Sequence, residues 1–207
     1  MVDSGIGNES KIILSLCDTT GTWSAPYREA GYTVIQVDIK DGLDVRLIEY
    51  PGKVHGILAA PPCTDFSVSG AQYWKAKDED GRTVASLAVA DACMRLVALC
   101  KPEWWVLENP VGRLKRWYGT PLWMFNPCDY GGYMQPSERT HDLAPYQDAY
   151  TKKTLLWGDF NPPEKKPVEP TGGNQWIMKL GGKSAKTKHY RSVTPTGFAR
   201  AFFLANP

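Results

Sequence analysis

The stretch APPCTDFSVSG, residues 60–70, places a thiol, Cys63, directly after two prolines and the apolar run VHGILA (Val54–Ala59). That run reads as a buried strand. Pro61 and Pro62 stiffen its exit, because each ring fixes its own φ. A thiol at such a point suits nucleophilic chemistry. It acts as a thiolate, so it needs backbone N–H groups or a nearby cation. Three carboxylates hold comparable positions. Asp18 follows KIILSLC (Lys11–Cys17), Asp38 ends YTVIQVD (Tyr32–Asp38), and Glu108 lies in WWVLEN (Trp104–Asn109). A scattered cysteine is otherwise a small buried hydrophobe, the reading adopted for Cys93, Cys100 and Cys128. No cysteine pair has C-x-x-C spacing, which argues against a disulfide framework or a structural zinc site. His55, His141 and His189 are far apart in the chain and lack metal-ligand spacing.

The elements that must position these groups alternate in type. Strand-like segments are KIILSLC, YTVIQVD, VHGILA, WWVLEN and TLLWG (Thr154–Gly158). Ser24 can cap a helix through about Ala30, with Pro26 in its first turn and Gly31 as the stop. TVASLAVADACMRLVALC (Thr83–Cys100) has helical length, with Ala85, Val89, Ala92, Cys93, Leu96 and Cys100 on one face and Pro102 as its end. Such alternation predicts an α/β fold, a mostly parallel sheet with helices on both faces. Ligands bind such sheets beyond the carboxyl ends of the strands. Asp18, Asp38, Cys63 and Glu108 would then gather along one rim. NPPEKKPVEP (161–170) reads as a linker, and Thr194 with Pro195 as a helix start. The whole chain, 1–207, reads as one domain without internal repeats.

Composition narrows the class. Of 207 residues 43% are hydrophobic and 22% charged, ordinary values for a soluble globular protein. No apolar run reaches membrane-spanning length, and the polar start MVDSGIGNES lacks a signal-peptide pattern. A cytoplasmic protein with no membrane partner is expected. Net charge is +2, unevenly spread: Thr171–Pro207 has six basic residues and no Asp or Glu. A basic block on a slightly acidic body suggests a polyanion surface, against the plainer reading of a solvated lysine loop.

At this point the chain resembles the cytosine-C5-specific DNA methyltransferases, most of all compact phage-type members. The likeness rests on Pro62-Cys63 followed by FSVSG (Phe66–Gly70), on Glu108-Asn109-Pro110, and on LSLCDTTGTW as a cofactor loop. VDIKDG, DYG (Asp129–Gly131) and RSVTPTGFAR extend it in the family's order. The resemblance implies a Rossmann-like class I methyltransferase fold and S-adenosylmethionine as methyl donor. It implies Cys63 as nucleophile on carbon 6 of cytosine, Glu108 as acid and base-recognition group, and Asn109 as an orienting residue. Cys17, Asp18, Gly21, Trp23, Asp38, Ile39, Asp44 and Pro61 would line the donor site; Trp23 is equally a core candidate. Pro62, Ser67, Lys152, Lys153, Lys183, Lys186 and Lys188 would contact the substrate. That substrate would be DNA with its target cytosine flipped out, with no metal. A phage-encoded member would work in the host cytoplasm.

Three departures from the family pattern matter. Thr19 replaces the first glycine of the G-x-G cofactor loop. The Q-x-R-x-R motif has no clean match; Lys152 and Lys153 stand in by position, with QPSER (Gln135–Arg139) as a rival. Residues 159–190 form a small basic segment where sequence-specific members carry a long target-recognition domain, which predicts short or relaxed specificity. RNA or a free cytosine nucleotide is therefore an alternative substrate. A non-catalytic donor- or DNA-binding subunit, working with a recognition partner protein, is another alternative. NPPE (Asn161–Glu164) lacks the aromatic residue of an amino-methyltransferase signature.

Overall fold

The computed structural model describes residues 7–171 and 185–207. Six strands form one sheet in the order β2-β1-β3-β4-β6-β5. They are β1 (Ile12–Leu16), β2 (Thr33–Val37), β3 (Gly56–Ala59), β4 (Trp104–Pro110), β5 (Trp123–Phe125) and β6 (Thr154–Asp159). β1 to β4 run parallel, and β6 is antiparallel to both β4 and β5. The sheet is mixed, with its four-stranded parallel part carrying the predicted rim. Five strands follow the sequence reading to within two residues. The short β5 carries no such signal, because three residues cannot establish a period of two.

The helices are α1 (Ala25–Glu29), α2 (Trp74–Glu79), α3 (Arg82–Cys100), α4 (Lys115–Tyr118), α5 (Ala185–Ser192) and α6 (Thr196–Ala205). α6 begins with Pro195 at its cap, one residue later than Thr194 and Pro195 suggest. One face of the sheet packs Leu14, Leu16, Ile57, Ala59 and Leu107 against Ala92, Cys93, Leu96 and Cys100 of α3. Ala85 is exposed rather than on that face. α3 is apolar around much of its circumference, so sequence alone does not fix the buried side. At 19 residues it reaches membrane-spanning length and composition, contrary to the expectation above, yet its core residues seat it on the sheet.

The other face is aromatic. Ile13, Leu58, Val106 and Leu156 pack against Trp23, Tyr27, Phe198 and Phe202. Phe125 stacks on Phe198 with ring centroids 3.9 Å apart. The proline-rich 161–170 segment is no free linker. Val168 N–H donates to Cys128 O at 2.9 Å, and Lys166 O accepts from Gly132 N at 2.8 Å. These bonds tie it to the turn Pro127–Tyr133, so its lack of regular structure is packed backbone rather than slack.

Candidate active site

The parallel register aligns the strand ends. Ala59 of β3 lies beside Leu16 of β1 and Leu107 of β4, and Val37 of β2 pairs with Leu16. Asp18, Asp38, Cys63 and Glu108 therefore occupy adjacent positions along one rim.

The loop carrying Cys63 is held from several sides. Phe66 N–H and Ser67 N–H both donate to Cys63 O, at 3.0 and 2.9 Å. Lys77, on α2, is buried; its Nζ donates to Thr64 O at 2.6 Å and pairs with Asp65 at 2.9 Å. Ser86 Oγ of α3 donates to Asp65 Oδ2 at 2.5 Å. Arg113, only 2% exposed, donates to Asp65 O, Thr83 Oγ1 and Asp78. Its guanidinium lies over the Trp74 ring at 5.0 Å. Gly112 is required here: a Cβ would come within 2.0 Å of Phe66 O. Asn109 is fully buried, and its Nδ2 donates to Pro61 O at 2.9 Å. The loop's position is thus set by β4, α2 and α3 together. Ser67 spends its hydroxyl locally with Ser69 Oγ at 3.0 Å, while Pro62 stands exposed beside the thiol.

Electrostatics link the reactive groups. Cys63 is accessible at the surface, but the protein packed around it desolvates the thiol and pushes its pKa up. Lys152, Arg191 and the residue's own backbone N–H pull it down, and Glu108 pushes it up. Burial likewise raises Glu108 above the usual carboxylate range, opposed by Lys152. One cation thus acts on both groups. Lys152 Nζ donates to Arg191 O at 2.8 Å, tying the segment before β6 to α5. Lys153 is exposed. The rival QPSER is structural: Glu138 takes a two-pronged pair from Arg200 at 2.8 and 3.0 Å, and Arg139 lies over Tyr146. Arg191 was visible within RSVTPTGFAR, but only the fold brings it near the thiol. Lys77, Asp65 and Arg113 carry no local motif.

The donor-side carboxylates are used differently. Asp18 is buried and accepts from Gly21 N, Ser15 Oγ, Ser24 N and Ser24 Oγ at 3.0 to 3.4 Å. It staples its own loop, and Ser24 bonds to it rather than capping α1. Gly21 has φ +68°, and a Cβ there would meet Gln36 Oε1 at 2.9 Å. Asp44 is engaged by Arg46, which holds its carboxyl at about 2. Among the described residues the Asp38 carboxylate accepts from Lys40 N and Thr19 Oγ1 alone, both at 2.9 Å. Next to it Ile39 is 69% exposed, an apolar surface beside a polar acceptor. Those features fit the ribose and adenine of a nucleoside donor. Cys17 has φ 58°, and its thiol lies against Cys93 in the core, whose pKa it raises. Trp23 is fully buried between Phe198 and Phe202, so the core reading replaces the cofactor contact. Pro61 is buried and serves through its carbonyl.

Of the basic segment, Lys186 is exposed on α5 near the Tyr190 ring. Lys183 and the Lys188 side chain lie outside the described residues. His141 and His189, distant in sequence, both pack on Tyr190, at 4.7 and 5.6 Å.

Residues 22–119, just under half of the chain, match the family model of the C-5 cytosine-specific DNA methylase. That span contains Asp38, Asp44, Cys63, Glu108 and Asn109, and over it the chain is similar to that class of protein. A solved E. coli structure, titled as a candidate DNA modification methyltransferase encoded within a prophage, aligns with TM-score 0.45 and 18% identity. The alignment covers 77% of this chain and 53% of that one, so the chain spans about half of that protein's length. No curated protein matches.

Proposed function

We propose that the chain methylates carbon 5 of cytosine in DNA, with S-adenosylmethionine as donor. The observation that carries this is the union of Cys63, Glu108 and Lys152 in one electrostatic unit, inside a segment that matches the cytosine-C5 family model.

Carbon 5 of cytosine is too weak a nucleophile to take a methyl group unaided. The Cys63 thiolate adds to carbon 6, and the ring becomes an enamine nucleophilic at carbon 5. Glu108, kept protonated more readily by burial, gives its proton to N3 as charge builds there. Lys152 and Arg191 favour the thiolate and oppose part of its desolvation. Asn109, through Pro61 O, fixes the height of the thiol on the rim. S-Adenosylmethionine, when bound by Asp38 and Ile39, supplies the electrophilic methyl. Loss of the carbon 5 proton to water then expels Cys63 as the thiolate and re-forms the carbon 5–carbon 6 double bond, while N3 returns its proton to Glu108. In duplex DNA the cytosine must leave the stack. Lys186 and the rest of the basic 159–190 segment would hold the phosphates. The small size of that segment favours short or relaxed specificity, or a recognition partner protein.

The test is transfer of labelled methyl from S-adenosylmethionine to duplex DNA, followed by nucleoside analysis. The expected result is 5-methylcytosine from the wild type and none from Cys63→Ala. Equal transfer to a free cytosine nucleotide would overturn the DNA assignment. Donor binding without transfer to any cytosine substrate would leave a non-catalytic subunit.

A further inference from the structure

Three carboxylates stand at the donor end of the rim, and their hydrogen-bond capacity differs. An ionised carboxylate offers about four acceptor sites. Asp18 receives four donors, three from its own loop and one from Ser15 at the end of β1. Asp44 receives four contacts from Arg46. The Asp38 carboxylate receives two among the described residues, one on each oxygen: Lys40 N on Oδ1 and Thr19 Oγ1 on Oδ2. One acceptor position therefore remains on each Asp38 oxygen, which matches a vicinal diol.

We propose that Thr19 is a positioning residue for donor binding, its hydroxyl fixing the Asp38 carboxylate so that both oxygens can accept the two ribose hydroxyls. This rests on the donor assignment above. The position is one where the resemblance leads one to expect glycine, which has no hydroxyl. Thr19 is also held by its backbone, since its carbonyl accepts from Lys40 Nζ. The loop is thereby joined to the Ile39–Asp41 turn at two points, and only one of them uses the Thr19 side chain. Removing the hydroxyl frees the carboxylate to rotate while leaving the Lys40 bond in place.

The experiment is calorimetric binding of S-adenosylhomocysteine and of its 2′,3′-dideoxy analogue to wild type, Thr19→Val and Thr19→Ser. Val keeps the shape of Thr without its hydroxyl, and thermal unfolding checks that each variant folds. Thr19→Val is expected to weaken S-adenosylhomocysteine about fivefold to tenfold, and Thr19→Ser to recover most of the loss. The dideoxy analogue, unable to use Asp38, is expected to bind wild type and Thr19→Val alike. Equal binding of S-adenosylhomocysteine by wild type and Thr19→Val would overturn the proposal, as would an equal loss for both ligands. A folded wild type that binds neither ligand would overturn the donor assignment itself, and this inference with it.

Discussion

The two loops that meet at the rim are stabilised in different ways. The proposed donor loop, residues 17–24, carries a staple of its own, Asp18, which gathers Ser15 of β1, Gly21 and Ser24 around one carboxylate, beside ties to β2 and its exit through Gln36, Val37, Asp38 and Lys40. The thiol loop, residues 61–70, is held from outside. Lys77, Ser86, Asn109 and Arg113 reach it across 13 to 48 residues of sequence. A self-stapled loop can keep its shape while its neighbours shift. An externally pinned loop keeps its place only while α2, α3 and β4 keep theirs. On the proposed function the arrangement suits two tasks: the donor would be a separate molecule that selects its loop's shape, whereas the thiol would have to meet a ring carbon at a fixed height.

Breaking the external pins should have the largest effect. Arg113→Met removes a buried cation from Asp78, Thr83 and the Trp74 ring. The expected loss is about 3 kcal/mol, because the buried Asp65 O and Thr83 Oγ1 each lose a hydrogen bond from a charged donor, while the half-exposed Asp78 adds little. Urea unfolding measures it. Cys63 alkylation by iodoacetamide should change while S-adenosylhomocysteine affinity does not. Asp18→Ala is the reciprocal test. It should cost about 2 kcal/mol, since several donors lose a charged acceptor, and should abolish donor binding while leaving the alkylation rate near wild type. If both variants changed both readouts, the two loops would be one unit and the contrast would fail.

A smaller effect sharpens the electrostatics. Lys152 lowers the pKa of both Cys63 and Glu108, so Lys152→Met should raise both. The thiol reacts as thiolate, and a raised pKa moves the rise in alkylation rate to higher pH. Alkylation profiles of the two proteins should therefore diverge most on the limb where the wild-type thiol ionises. Superimposed profiles would remove Lys152 from the site.

The same contrast explains what was legible beforehand. Asp18, Asp38, Cys63 and Glu108 were placed on one rim because strand ends and β-branched runs are local signals. Ser24 is a local signal too, although it bonds Asp18 rather than capping α1, whereas Gly21 stands out only through the family resemblance of its loop. Lys77 and Arg113 could not be read, because nothing near them in sequence says that a helix 13 residues on will return to the thiol loop. Trp23 was ambiguous until Phe198 and Phe202 arrived from the far end of the chain. The 161–170 segment looked slack because proline and charge describe composition; its bonds to Cys128 and Gly132 are tertiary.

The antiparallel strand β6 also bears on how the chain is made. β4, which carries Glu108 and Asn109, lies between β3 and β6, and β6 begins 44 residues after β4 ends. On a ribosome adding about 5–20 residues per second, β4 is a bare sheet edge for about 2–9 s. An unpaired edge is a template for joining another chain. During synthesis, then, the strand bearing the proposed proton donor is also an open edge at which the nascent protein can misassemble.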